Sequence, residues 1–460
     1  MQILHRCCCG LDVHKKLIVA CLISLNESGD SQKETRSFTT MTKDILALAD
    51  WLTCAGCTHV AMESTGVYWR PIWNLLEGHF ELMLVNAQHI KAVPGRKTDI
   101  KDAEWLADLL QHGLLRASFV PPAPQRHLRE LTRYRSTLLA ERARLVNRLH
   151  KVLEDTNLKL TAVATNIMGL SARDILEALL RGETNPEVLA KLARGKLRKK
   201  REALEQALVG RVDDHHRFLL TSLLTHIDFL EEQISDCNRK IEQVLAELSD
   251  EKAELVFSDE QLQNQARVSS TPVGTESSLA QEREPEDGPK VPLSSQQAIA
   301  LLDSIPGINQ RIAEIFLAEV GTDMQRFPTA GHLASWVGIC PGNHQSAGKQ
   351  IRGTTRKGDR WLRQALIEAA QGAMRTKDTY LSAQGRRLTH RRGKKRAVVA
   401  VAHTILIIAY HVLHRQQPYQ DLGSNYFDER ERSAIARQSV RRLEQLGFKV
   451  TLENPSGEAA

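Results

Sequence analysis

The 460-residue chain lacks a disulfide framework, a zinc-type cysteine pattern and an opening apolar stretch. Of its eight cysteines, Cys7, Cys8, Cys9 and Cys21 fall in short apolar runs that read as core strands, where thiols serve as small hydrophobes. Cys54 and Cys57 form a single C-x-x-C pair with no second pair at zinc spacing, and so read as structural. The first residues contain no long apolar stretch, which argues against a signal peptide. The most apolar run, 397–413, is short for a membrane span and contains His403, Thr404, Tyr410 and His411; it reads as a buried helix. These absences predict a cytoplasmic protein with no membrane partner. The composition is not extreme either. An apolar content of 42% is ordinary for a globular chain, so two or three folded domains are expected rather than disorder.

What the chain does have is segregated charge, which its net +7 understates. Residues 126–151 carry Arg126, Arg129, Arg133, Arg135, Arg142, Arg144, Arg148 and Lys151 against Glu130 and Glu141. Residues 386–396 carry Arg386, Arg387, Arg391, Arg392, Lys394, Lys395 and Arg396 with no acid, and 194–201 form a third basic run. Each alone is ordinary for a solvated face. Three together, beside a metal-type acid set, predict nucleic-acid contacts.

That acid set lies in the first quarter. The apolar run from Cys7 reads as a strand with Asp12 at its exit, and a second strand follows around 17–24. Thr58 to Glu63 reads as another strand ending in an acid, followed by a helix over 68–76 and a strand over 82–86. Thr98 is placed to cap a helix on which Ala103, Leu106, Ala107, Leu110 and Leu114 keep helical spacing. Asp99 and Asp102, at i and i+3, project from one face of that helix. In a layered α/β domain, strand-end acids converge at one edge of the sheet. Such a pocket of like charge suits a cation, and Mg²⁺ (or Mn²⁺) shared with substrate phosphate is the natural occupant.

A second candidate lies far along the chain. Gly342 to Lys349 is a glycine-flanked loop carrying Ser346. Lys349, Arg352, Arg356, Lys357, Arg360 and Arg363 follow, with Asp359 the one acid among them. Arginines fork onto phosphate oxygens, and a hydroxyl among them is a candidate nucleophile toward phosphorus.

Between these regions, 125–157 reads as a long helix. Over 216–256, Leu220, Ile227, Ile234, Ile241, Leu248 and Leu255 recur every seventh residue, with Leu223, Leu230, Cys237 and Val244 on the companion seam. This is a coiled-coil pattern, with pairing left open between an intrachain hairpin and a second chain. The Pro- and Ser-rich stretch 258–296 reads as a flexible linker. Ile305-Pro306-Gly307 then resembles the turn of a helix-hairpin-helix. The expected organisation is an α/β domain over 1–120, coiled-coil helices over 121–257, the linker, a mostly helical domain over 297–430 carrying the serine, and a charged tail over 431–460.

Taken together, Gly10-Leu11-Asp12-Val13-His14-Lys15, Met62-Glu63-Ser64-Thr65-Gly66, Lys97-Thr98-Asp99-Ile100-Lys101-Asp102-Ala103, the Gly342–Lys349 loop, Arg356–Arg363 and Arg392-Gly393-Lys394-Lys395-Arg396 resemble the DEDD transposases of insertion sequences. The resemblance implies a RuvC-like (RNase H fold) domain whose acids are Asp12, Glu63, Asp99 and Asp102, and a transposase domain whose nucleophile is Ser346. Nucleic-acid contacts would come from Lys349, Arg352, Arg356, Lys357, Arg360, Arg363, Arg392, Lys394, Lys395 and Arg396. It further implies donor and target DNA as substrates, guidance by an element-encoded bridge RNA, and a homo-tetramer in which one subunit's acids meet another's serine. Ala347 stands where many relatives have glycine, so a small residue is kept. Two other functions stay open: a RuvC-like junction nuclease using metal-activated water, and an inactive nucleic-acid scaffold.

Overall fold

The computed structural model describes residues 3–26, 30–64, 66–86, 99–266, 293–341, 345–346, 349–350 and 355–451. The chain divides into two compact units, Met1–Pro122 and Ala123–Ala460.

The first unit is built on a mixed sheet of β1 (Cys7–Val13), β2 (Leu17–Leu25), β3 (Ser31–Thr39), β4 (His59–Glu63), β5 (Glu81–Val85) and β6 (Ala117–Ser118), in the order β3-β2-β1-β4-β5-β6. β1, β4 and β5 run parallel; β2, β3 and β6 pair antiparallel to their neighbours. Helices α1 (Thr42–Cys54) and α2 (Trp69–Leu76) bury Leu48, Leu52, Ile72 and Leu76 in a core shared with Cys9, Leu11, Ile18, Val60 and Met62. Helix α3 (Asp99–Gln111) covers the other face, packing Ala103, Ala107 and Leu110 with Cys8, Val19, Cys21 and Ala61. Burial on both faces is why β1 and β2 read as continuous apolar runs rather than alternating ones. It also pushes the Cys8 thiol up to about 12. All eight cysteines are free, including Cys54, exposed at the end of α1, and Cys57, buried beside it. β3 is almost wholly exposed, and it aligns with β2 from Leu17↔Thr39 to Leu25↔Ser31.

The second unit opens with two long helices, α4 (Ala123–Asp155) and α5 (Asp214–Ala266). They run antiparallel: Arg142 bonds Glu231, Arg135 bonds Asn238, and Cys237 donates to the Leu131 carbonyl. Leu138, Leu145, Leu149 and Leu153 share a core with Leu220, Leu224, Ile227 and Leu230; Leu128 does so with Cys237, Ile241 and Val244. From Leu220 to Leu248 the seven-spaced residues therefore pack within the chain, and the side chain of Leu255 lies outside the described residues. α5 stays helical to Ala266, past the point at 258 where a linker was expected; 267–292 lie outside the described residues. Between the long helices sit α6 (Leu170–Leu180) and shorter helices at Leu160–Val163, Pro186–Lys191, Gly195–Arg198 and Arg201–Ala207.

The C-terminal part packs α7 (Ser295–Asp303), α8 (Gln310–Val320), α9 (Ala330–Val337), α10 (Arg360–Ala373), α11 (Tyr380–Arg392) and α12 (Lys394–Arg415) around one core. Ser294 and Gln297 form a capping box on α7, and Asn309, Thr329, Asp359 and Thr379 cap α8 to α11. α12 is long and apolar enough to cross a membrane by length and composition. Here Val401, Ala402, Ile405, Leu406 and Ala409 fill the core instead. The Pro306–Gly307 turn is packed inward: Gly307 has φ +93, and a Cβ there would stand 2.2 Å from the Ala369 carbonyl oxygen of α10. That packing accounts for the glycine without a bound phosphate. Past residue 430, where a charged tail was expected, the chain forms a helix at Arg432–Gln445.

Candidate active site

Backbone pairing assembles the acids. Parallel strands β1 and β4 pair Cys8↔His59 through Leu11↔Met62, so Asp12 and Glu63 are the next residues at the same end of neighbouring strands. Cross-strand partners share a sheet face. Asp12 stands opposite Val19 and Glu63 opposite Val85, and both valines belong to the core beneath α3. Both carboxylates therefore lie on the α3 face. Asp12 is buried, and its Oδ2 lies 3.1 Å from His14 Nε2; Glu63 is half-buried.

Gly10 brings the helix to them. A Cβ at Gly10 would stand 2.4 Å from the Ala103 carbonyl oxygen and 2.5 Å from the Ala107 nitrogen, both backbone atoms that cannot give way. Without that Cβ, α3 lies directly on β1. Leu4 N bonding the Gln111 carbonyl fixes the helix C-terminus at the start of the strand, so the first turn of α3 lies toward the strand's exit. Asp102, one residue before Ala103, is exposed on that turn. Asp99 begins the helix, but its side chain lies outside the described residues. Among the described residues, no three His, Cys, Asp or Glu side chains are gathered closely enough to hold a metal ion. The donor types are those a hard cation takes: Asp12 and Glu63 offer carboxylate oxygens from one end of the sheet, and Asp102 offers another from the first turn of α3.

The serine belongs to the second unit. Ser346 pairs with Lys349 and Gln345 with Gln350 in a two-stranded hairpin, β7 (Gln345–Ser346) and β8 (Lys349–Gln350). The side chains of Ser346 and Lys349, and all of Arg352, lie outside the described residues. The base of the loop is pinned by two glycines. Gly338, at φ +74, leaves 2.7 Å between its would-be Cβ and the Arg356 carbonyl oxygen, and Gly358 leaves 2.4 Å to the Val337 carbonyl. Asp359 then caps α10 by accepting from Leu362 N at 2.7 Å.

The basic residues divide. Arg356, Lys357 and Arg360 are exposed, with Arg360 over the Trp361 ring. Arg363 turns back, donating to Thr355 Oγ1 at 2.7 Å. Arg392, Lys394, Lys395 and Arg396 are exposed where α11 meets α12, across Gly393 at φ +80. The run on α4 is split: Arg144, Arg148 and Lys151 are exposed, whereas Arg129, Arg133 and Arg135 are engaged inside the protein. Arg133 makes two 2.7 Å bonds to the Glu319 carboxylate and one of 3.2 Å to Asp359. Arg129 caps the end of α8 through the Ala318 and Glu319 carbonyls, and buried Arg135 meets buried Glu314 at 2.6 Å. Burial pushes the Glu319 carboxyl up, against the pull of Arg133 and Arg129. Those arginines hold α4, α8 and α10 together, and they are not a nucleic-acid surface. The sequence showed the charge but not the partners, since the acids lie far along the chain.

A family model described as "Transposase", of the DEDD type, matches residues 9–158, and one described as "Transposase IS116/IS110/IS902 family" matches 299–386. The chain belongs to this family of insertion-sequence transposases. It is similar to the transposase for insertion sequence element IS1111A of Coxiella burnetii, at 32% identity over 26% of this chain and 34% of that protein. A probable family 20 transposase of Pseudomonas aeruginosa is 25% identical over 78% of this chain and 85% of its own length. A pilin gene-inverting protein of Moraxella bovis is 30% identical over 26% of this chain and 38% of that protein. The chain thus spans about a third of the Coxiella and Moraxella relatives but most of the Pseudomonas one.

Proposed function

We propose that the protein is the transposase of an insertion sequence, a recombinase that cuts donor and target DNA and rejoins the strands in a new order. The observation that carries this reading is the register of β1 and β4, which brings Asp12 and Glu63 side by side under the first turn of α3. The name of the gene-inverting relative supports the same chemistry, since inversion consists of cutting and rejoining.

In this reading the first unit is a RuvC-like domain, and Asp12, Glu63, Asp99 and Asp102 hold Mg²⁺ or Mn²⁺, which when bound stabilises negative charge on the reacting phosphate. Arg356, Lys357 and Arg360, with Lys349 and Arg352, hold phosphate oxygens beside Ser346. Its Oγ attacks phosphorus, forming an Oγ–P bond as one P–O bond to deoxyribose breaks. The serine proton is lost and the leaving oxygen gains one. The covalent link keeps the phosphodiester energy until the released hydroxyl of a new strand reverses the step. A bridge RNA selects the strands, and a homo-tetramer lets the acids of one subunit serve the serine of another.

The test is denaturing electrophoresis of a labelled suicide DNA substrate carrying the element's own ends, with the guide RNA supplied. Wild-type protein is expected to form a covalent phosphoserine adduct. Ser346→Ala and Asp12→Asn are expected to form none. Cleavage by Ser346→Ala at the wild-type rate would overturn the serine mechanism in favour of a nuclease that uses water.

A further inference from the structure

The segment between the two long helices lies outside both family matches, which end at 158 and resume at 299. It contains an open cleft of about 400 Å³. One wall is Thr165, Gly169 and Ser171 at the start of α6; the other is Arg194, Lys196 and Lys200. Residues 191–201 carry Lys191, Arg194, Lys196, Arg198, Lys199, Lys200 and Arg201 without one acid. Arg194 is steered by Asp174 at 2.6 Å while its backbone N donates to Ser171 Oγ at 2.9 Å, which joins the two walls. Arg201 pairs with Glu205 at 3.0 Å. Among the described residues, no carboxylate pairs with Lys196, Arg198, Lys199 or Lys200, and all four are exposed. The α6 N-terminus has no side-chain cap, so its amide end adds positive potential to the cleft.

The geometry points to a phosphodiester-binding site in this segment, built from the Thr165–Arg194 cleft and the basic residues that continue from it. A single phosphate would need only the cleft. Cations that run on past it, along Arg198 and Lys199, suit a repeating anion, the backbone of DNA or RNA. The segment would hold a nucleic-acid strand through residues other than the acids and the serine. It extends the recombinase reading, yet it fails separately, because binding is measured without any cutting.

The experiment is fluorescence anisotropy of full-length protein on a labelled DNA duplex and on an RNA hairpin, between about 50 and 200 mM salt. Replacing Lys196, Arg198, Lys199 and Lys200 together by Gln is expected to reduce the steepness of the plot of log affinity against log salt by up to about 3–4, at roughly 0.9 per lost phosphate contact. Thr165→Glu, which adds a negative charge to the cleft and leaves every cation in place, is expected to weaken binding several-fold, whereas Thr165→Gln is not. An effect on DNA alone, RNA alone or both identifies the bound strand. Unchanged slopes for both in the fourfold variant overturn the site, and indifference to Thr165→Glu overturns the cleft as its seat.

Discussion

The α4 helix and the junction between α11 and α12 are both rich in arginine, and they use it in opposite directions. On α4, Arg129, Arg133 and Arg135 turn inward to Glu319, Asp359 and Glu314 and fasten three helices. At the junction, Arg392, Lys394, Lys395 and Arg396 stand exposed around a glycine that breaks one helix from the next. The local sequence hardly separates the two cases. What separates them is whether an acid from elsewhere in the fold arrives within bonding distance. A count of basic residues is therefore a measure of surface potential only after internal partners are subtracted.

The largest effect expected from this contrast is on stability. Arg135→Ala removes the partner of Glu314, whose side chain is 5% exposed, and leaves a charge buried and unpaired. Breaking a buried pair in this way typically costs about 3–5 kcal/mol. A chemical denaturation curve is expected to show that loss, with no change in the salt dependence of DNA binding for the protein that remains folded. Unaltered stability with weakened DNA binding would return α4 to the nucleic-acid surface.

The same distinction sets how much could be read from sequence. The strands that carry Asp12 and Glu63 were legible because β1 and β4 are buried on both faces and their apolar runs are unbroken. The helix after Thr98 was legible from its spacing, as was the seam on α5, although the partner helix was not. β3 was invisible, because Ser31 to Thr39 is polar, exposed and held by backbone pairing to β2 rather than by an apolar pattern. Gly10 stood in a recognised motif, but no local rule says that a glycine in a strand is there to seat a helix. The ion pairs of α4 were illegible for the reason given above: Glu314, Glu319 and Asp359 lie some 180 to 230 residues away.

A smaller effect, on binding alone, is expected at the junction. Replacing Arg392, Lys394, Lys395 and Arg396 by Gln should flatten the plot of log affinity against log salt by up to about 3–4, since each phosphate contact contributes about 0.9. The melting temperature should stay where it was, because among the described residues no carboxylate partners these four. An unchanged slope would make the row a solvated face and leave the loop after Ser346 as the main seat of phosphate contacts in that part of the chain.

Arg142 supplies the smallest effect and the finest test. It lies on α4 beyond the inward-turned arginines; its partner Glu231 is 46% exposed and Arg142 itself is 31% exposed. Its Nε lies 2.8 Å from Glu231 Oε1, a geometry as good as that of the buried pairs. If geometry set the contribution, Arg142→Gln would cost as much as Arg135→Ala. Solvent decides otherwise: water screens the attraction, and it hydrates whichever charge is left behind, so exposed pairs contribute about 0–1 kcal/mol. Denaturation of Arg142→Gln should therefore shift by less than about 1 kcal/mol, and added salt should shrink the difference further. The DNA salt slope should also stay put, because Glu231 already occupies the guanidinium. A loss as large as that at Arg135 would mean that hydrogen-bond geometry, rather than burial, fixes the value of these arginines, and the contrast between the two regions would have to be redrawn on that basis.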